Sequence, residues 1–143
     1  MEEMGMGGGR AAAFECFLAM EPPTVTHNDL EPCTHHGRPS IRKSARLRDA
    51  EDAILARLGR CDKPRTPVSG PMRVSVRWCF SKGKKRQGEP HTEKPDMSNM
   101  LKTLEDCMQR AGIIADDAQI CEEHLAKAYS DPAGIWIRVE PLG

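Results

Sequence analysis

Aromatic residues are scarce in this chain: two Trp, one Tyr and three Phe among 143 residues. So few rings give little support to a stacking platform of the kind that lays out successive bases of a single strand. No apolar run approaches the ~20 residues of a membrane helix, and the opening MEEMGMGGGRAA lacks the apolar centre of a secretory signal. These absences read as a cytosolic protein with no membrane partner. Six cysteines are present but no Cys-x-x-Cys, and without a secretion signal they suit reduced thiols. The cluster Cys33-Thr34-His35-His36, with Cys61 as a remote fourth ligand, matches no common zinc spacing, and a polar loop is the better reading. The GMGGG run is no phosphate loop, because no strand precedes it and no Gly-Lys-Ser/Thr follows.

Net charge is also missing, yet its distribution is uneven. Lys and Arg number 21, as do Asp and Glu. Residues 1–36 hold one basic and six acidic side chains, net −5. Residues 37–94 hold sixteen and six, net +10, and residues 95–143 hold four and nine, net −5. A basic middle third followed by an acidic end is the pattern of a phosphodiester enzyme: cations grip the backbone while carboxylates hold a metal.

Hydrophobic periodicity supplies the elements of one modest domain. Residues 1–12 are glycine-rich without period and read as a disordered leader. In 13–20, Phe14, Cys16, Leu18 and Met20 alternate, which predicts a strand ended by Glu21-Pro22-Pro23. Residues 24–43 read as a long polar loop. Ser44 caps a helix over 45–58 with Leu47, Ala50, Ile54 and Leu58 as its stripe, and Gly59 closes it. Residues 72–80 alternate as a half-buried strand. The run 81–94, SKGKKRQGEPHTEK, is too polar to pack and reads as a flexible cationic loop, with His91 a weak candidate for assistance.

The chemistry concentrates in KPDMSNMLKTLEDCMQRAGIIADDAQI, from Lys94 onward. Met97, Met100, Leu101, Leu104, Met108 and Ala111 form one apolar stripe of a helix that Asp96 or Ser98 caps and Gly112 ends. Asn99, Lys102 and Asp106 share another face. Asp116 and Asp117 follow the helix; if the chain then returns as a strand beside it, they could lie near Asp96. Carboxylates around a lysine suit a hard divalent cation and a phosphate ester. The bland alternative is that Asp96 is only a helix cap and Asp116-Asp117 only a solvated turn.

This stretch resembles the signature of the RusA family of Holliday-junction resolvases. That signature runs Pro-Asp-x-Asp-Asn-Leu-x-Lys, a short gap, Asp-Ala, a spacer, then Asp-Asp-x-Gln-Val/Ile. Pro95, Asp96, Asn99, Lys102, Asp106, Asp116, Asp117, Gln119 and Ile120 fall on it in order, and looser likeness reaches from Phe14 to Leu142. Ser98 stands where the family has its second aspartate.

The resemblance implies an α/β (α+β) domain over 13–143, ordered β-α-β-α-β-β, with two helices packed on a mixed sheet. It favours a strand for 118–129, which periodicity leaves open, before a last strand over 135–139. It also implies a homodimer that nicks four-way junctions with Mg2+. Asp96, Asp116 and Asp117 would then be the metal ligands, Lys102 the catalytic cation, and Asn99 and Asp106 orienting groups. Arg38, Arg42, Lys43, Lys82, Lys84, Lys85, Arg86 and Lys94 are the candidate DNA contacts. Ser98 implies weakened cleavage or, as the alternative, junction binding without it.

Overall fold

The structure is a computed structural model and describes residues 12–143. All but the last residue of the expected leader, 1–12, therefore lies outside the described residues. The elements run β1 (Phe14–Leu18), β2 (Leu30–His35), β3 (Arg38–Lys43), α1 (Ala45–Leu58), β4 (Met72–Ser81), α2 (Met97–Arg110), β5 (Ile120–Ser130) and β6 (Gly134–Pro141). A single 3-10 turn, Asp117–Gln119, leads into β5.

The main sheet has the order β1-β6-β4-β5. It is mixed: β5 pairs with β4 in parallel, while β6 pairs antiparallel with β4 and with β1. This is the expected α+β domain with two helices on a mixed sheet. Central β4 carries Met72, Val74, Val76, Trp78 and Phe80 into the core, where they join Ile54 and Leu58 of α1 and Met100, Leu101, Leu104 and Met108 of α2. Ile135, Ile137 and Val139 of β6 are buried beside them. The opposite face of the sheet is polar; there Arg73 holds Glu122 at 2.8 Å and Glu140 at 3.6 Å. Among the described residues no helix is long and apolar enough to cross a membrane.

A cap sets the start of α1, and a left-handed glycine follows the end of α2. Ser44 Oγ accepts the Leu47 N–H at 3.0 Å at the start of α1. Gly112, at φ 78°, sits just past α2 in the left-handed region that glycine enters without steric cost. Glu51 of α1 is buried, but it receives Lys43 Nζ at 2.9 Å and Arg110 Nη1 at 3.4 Å, so its charge is matched.

Two segments differ from the sequence expectation. Residues 24–43 are not one loop, because Leu30–His35 and Arg38–Lys43 pair as an exposed hairpin turning at His36-Gly37. Its alternation is invisible in the sequence because neither face enters the core. Pro32 and Pro39 fit because a two-stranded ribbon consists only of edges. Nor is 81–94 an unpacked loop. Gly88 N–H donates to the Tyr129 carbonyl at 2.7 Å, Tyr129 N–H to Glu89 at 2.8 Å, and Pro90 bridges Ala128. His91 is buried and stacks on Phe80 at 4.0 Å. Burial first, then the Lys127 charge, hold its pKa below the ordinary imidazole value. The backbone donors and acceptors along β5 draw this polar segment onto the sheet edge, a gain that side-chain polarity does not reveal.

Lys127 fastens the chain just before α2. Its ammonium donates to the Glu93 carbonyl and, at 2.9 Å, to that of Pro95. Bonds from a charged donor contribute more than neutral ones, so Lys127→Met is expected to lower stability by about 2 kcal/mol. The same variant should speed amide exchange at Met100, whose N–H donates to the Asp96 carbonyl at 3.1 Å; unchanged melting and exchange would mean the entry to α2 holds without this clamp.

Candidate active site

Three parts of the chain build the site. The first is the entry to α2. Asp96 is the N-cap residue, with extended backbone, yet its side chain makes no capping hydrogen bond. Its carboxylate is exposed, with no hydrogen-bond or ion-pair partner among the described residues. The simple capping role therefore does not occupy it. Ser98 is exposed in the first helical turn.

The second part is the outer side of α2. Lys102 Nζ lies 3.4 Å from Asp106, one turn on, and 3.3 Å from Asp117 Oδ2. Asp106 first, then Asp117, raise the pKa of the Lys102 ammonium. Asp96 lies about 9 Å up the helix axis from Lys102, at 1.5 Å per residue. Asn99 follows on this side, and its carbonyl accepts the Thr103 hydroxyl at 3.2 Å.

The third part is the return from α2 to β5. Ile113 and Ile114 are buried. Val68 of the proline-rich connector straddles them, donating to the Ile113 carbonyl and accepting from Ala115 N–H at 2.8 and 2.9 Å. With the chain pinned there, Asp116 Oδ1 accepts the Ala118 N–H at 2.9 Å and Gln109 Oε1 accepts the Asp117 N–H at 2.7 Å. Gln109 and Lys102 thus hold Asp117 against α2 from two directions.

Glu105 also belongs here, and the sequence reading passed over it. It is 7% exposed, and its Oε2 is sealed from solvent with no hydrogen-bond partner among the described residues. The polar group it faces is the Glu123 carboxylate, itself an acceptor, so only a shared proton or a cation satisfies the pair. Burial first, then Glu123 and Asp117, push the Glu105 pKa up to about 8, against the pull of Lys102. A signal was available. Glu105 stands four residues after Leu101 and three before Met108, a charge set within the apolar stripe. Gln109 and Lys127 carried no such signal, because their roles depend on distant backbone.

The donor set is oxygen throughout, which suits a hard divalent cation. Asp117 already draws one cation, Lys102, and Glu105 Oε2 has no donor at all, so these residues fit such an ion. Among the described residues no three His, Cys, Asp or Glu side chains converge closely enough to enclose one. Asp96, Asp116 and Asp117 therefore stand as separate donors, and Cys33, His35 and His36 form no metal cluster.

The candidate DNA contacts divide in two. Arg42 is turned to Glu31 at 2.8 Å and Lys43 to buried Glu51. Lys85 and Arg86 share Glu89 loosely, at 3.7 and 3.8 Å. Arg38, Lys82, Lys84 and Lys94 have no carboxylate partner among the described residues; all but Lys82 are exposed and Lys82 is half-buried.

Glu105 carries a pH dependence whose sign follows from its raised pKa. The folded protein holds this proton more tightly than the unfolded chain, so its contribution is full below about 4.5 and lost as pH rises through about 8. In metal-free buffer Glu105→Gln, which cannot ionise, is expected to melt above the parent beyond that pH and to flatten the slope across the window. Parallel melting profiles for the two proteins would show that Glu105 is not the group responsible.

The chain matches the family described as Endodeoxyribonuclease RusA over residues 22–140. It is also similar to the Crossover junction endodeoxyribonuclease RusA of Aquifex aeolicus (strain VF5), with 40% identity over 54 residues. That stretch is 37% of this chain and 43% of the relative, so it spans less than half the relative's length. The family match runs from before β2 to the penultimate residue of β6 and takes in both helices and the whole Lys102 cluster. By the extent of that match, the chain belongs to the RusA endodeoxyribonuclease family.

Proposed function

We propose that this chain, through one domain over 13–143, is a divalent-metal-dependent endonuclease that nicks branched DNA, with Mg2+ as cofactor and the four-way junction as substrate. The observation that carries the proposal is Lys102 held between Asp106 and Asp117, with the uncapped Asp96 carboxylate on the same helix. A structural ion pair needs neither the uncapped carboxylate nor the family match.

Asp96 and Asp117 would hold the cation directly, with Asp116 as a further ligand or a support through its turn to Ala118. When bound, such a cation activates the attacking water and stabilises the leaving oxygen. Lys102 faces the negative charge that gathers on the phosphoryl oxygens as one P–O bond forms and another breaks. Asp106 keeps that ammonium in place, and Asn99 orients the first turn. A two-fold junction requires two related cuts, which an isologous homodimer delivers at one spacing. Acting on DNA in recombination or repair, the protein would work in the cytoplasm.

Binding without efficient cleavage is the second reading, and Ser98 favours it. A hydroxyl is a neutral ligand where a carboxylate would hold a divalent ion more tightly. A mobile four-way junction assayed across a magnesium series separates the two. Asp117→Asn is expected to abolish nicking and leave junction binding intact, while Ser98→Asp keeps or raises the rate at lower magnesium. A parent that never cuts, restored by Ser98→Asp, would make binding alone the function.

The exposed cations between β4 and the entry to α2, only loosely held by Glu89 where they are paired, would supply the grip on the backbone. Replacing Lys84, Lys85 and Arg86 together by alanine should weaken junction binding. It should also flatten its log–log salt dependence by about 0.9 for each phosphate these cations no longer neutralise. Their side chains lie on the outside of a segment held by backbone bonds, so the melting temperature should hold. A large fall in melting temperature with binding preserved would assign these residues to the scaffold.

A further inference from the structure

We propose that the β2–β3 hairpin is an apolar wedge that enters branched DNA at the branch point, with Ile41 against the base pairs there and Arg38 on the flanking backbone. The inference deepens the function proposed above and rests on it in taking the four-way junction as the ligand. It assigns the preference for a branch over linear duplex to one face of one ribbon.

Register fixes that face. Directly opposed residues of an antiparallel pair point to the same side of the ribbon. Leu30 opposes Lys43, Pro32 opposes Ile41 and Thr34 opposes Pro39, so apolar side chains dominate one side. Glu31, Cys33 and His35, with their partners Arg42, Ser40 and Arg38, take the other. Glu31 Oε1 accepts the Ala45 N–H at 3.2 Å, so this second side is the one turned towards α1. The first is left in solvent: Leu30 is 52% exposed and Ile41 69%, more than any other large apolar side chain among the described residues. None of its residues joins the core, so folding does not account for an apolar face here.

The ribbon is built as a stiff arm. At its base the Asp29 carboxylate meets Arg46 at 2.8 Å, the Asp29 carbonyl accepts the Ser44 N–H at 2.9 Å, and Glu31 holds Arg42 at 2.8 Å. At its tip His36 and Gly37, at φ 51° and 76°, make a two-residue turn whose twist matches that of paired strands. Arg38 beside that turn is exposed and has no carboxylate partner among the described residues, which leaves it for a phosphate. Charge identifies the occupant. Residues 32–48 hold five Lys or Arg and no Asp or Glu. An apolar ribbon that meets another protein has no need to exclude carboxylates over such a stretch, whereas one that approaches a polyanion does. A two-stranded ribbon fits a DNA groove, and Ile, Leu and Pro are side chains that proteins insert between base steps. Insertion costs least where stacking is already interrupted, which in a four-way junction is the branch point. Linear duplex offers no such interruption, so the wedge discriminates between the two.

The test uses full-length protein in EDTA, so that no strand is cut, and a four-way junction carrying 2-aminopurine beside the branch point. Fluorescence is expected to rise as the parent binds and unstacks the probe. Ile41→Ser should abolish that rise and weaken junction binding about tenfold, the loss of one buried apolar side chain, while duplex binding changes by less than about twofold. Ile41 is solvent-exposed in the free protein, so the melting temperature should hold. Ile41→Leu, which keeps the apolar bulk, should keep both the rise and the affinity. Arg38→Ala should weaken binding to both DNAs and flatten the salt dependence by about 0.9. If Ile41→Ser matches the parent in binding and fluorescence, or the parent binds the junction with no rise, the inference is overturned and the nuclease function stands. Light scattering that shows a dimeric parent made monomeric by Ile41→Ser also overturns it, giving this face to a second copy of the chain. A parent that binds neither junction nor duplex sinks the proposed function and the wedge together.

Discussion

Parallel strands cannot be joined by a tight turn, and the pairing of β4 with β5 governs the rest of this fold. The chain must leave the end of β4, travel back along the sheet and enter β5 at the level where β4 began. Helix α2 is that return, and its length carries it from the Lys127 clamp at one end to Gln109 and Asp117 at the other. The candidate active site is a consequence of this crossover. Asp96 marks where the return starts, Lys102 lies along it, and Asp116 and Asp117 mark where it ends. Inserting residues anywhere along that path would shift one part of the site against another, and the pinned sequence at Val68 and Ile113 leaves little slack to absorb a change.

Buried charge separates scaffold from chemistry here. Around Glu51, two cations from different elements tie β3, α1 and α2 together, and the cost of burial is offset locally. Around Glu105 the balance is negative, and the Lys102 ammonium nearby is held by Asp106 and Asp117. Folding alone gains nothing from such an arrangement. A proton held by Glu105, whose pKa is pushed up to about 8, satisfies it at neutral pH.

Charge at the surface follows a similar division. The neutral total hides a basic middle third, but tertiary structure commits several of those cations to carboxylates: Arg42 to Glu31, Arg46 to Asp29, Arg73 to Glu122 and Glu140. Among the described residues, cations without such partners include Arg38 at the β2–β3 turn, Arg60, Lys63 and Arg65 after α1, and Lys82, Lys84 and Lys94 between β4 and α2. Counting charges per stretch of sequence therefore overstates the area open to a polyanion.

Both helices, with their ends, were legible in the sequence because each is decided locally. Ser44 and Gly59 bound one apolar stripe, Asp96 and Gly112 the other, and a 3.6-residue period cannot be mistaken over fourteen residues. The core strands β4 and β6 were legible by the same logic at period two, and the motif from Pro95 to Ile120 named the family. Only tertiary structure decided the rest, because the deciding partner lies far along the chain. The β2–β3 hairpin buries neither face and so leaves no period. Residues 88–91 look like loop until the free edge of β5 offers backbone partners. Lys127 is an ordinary strand lysine until it meets the carbonyls of Glu93 and Pro95. Glu105 is one charge in an apolar stripe until β5 brings Glu123 against it, for a carboxylate's role depends on what faces it, and pairing across 18 residues is set by the sheet.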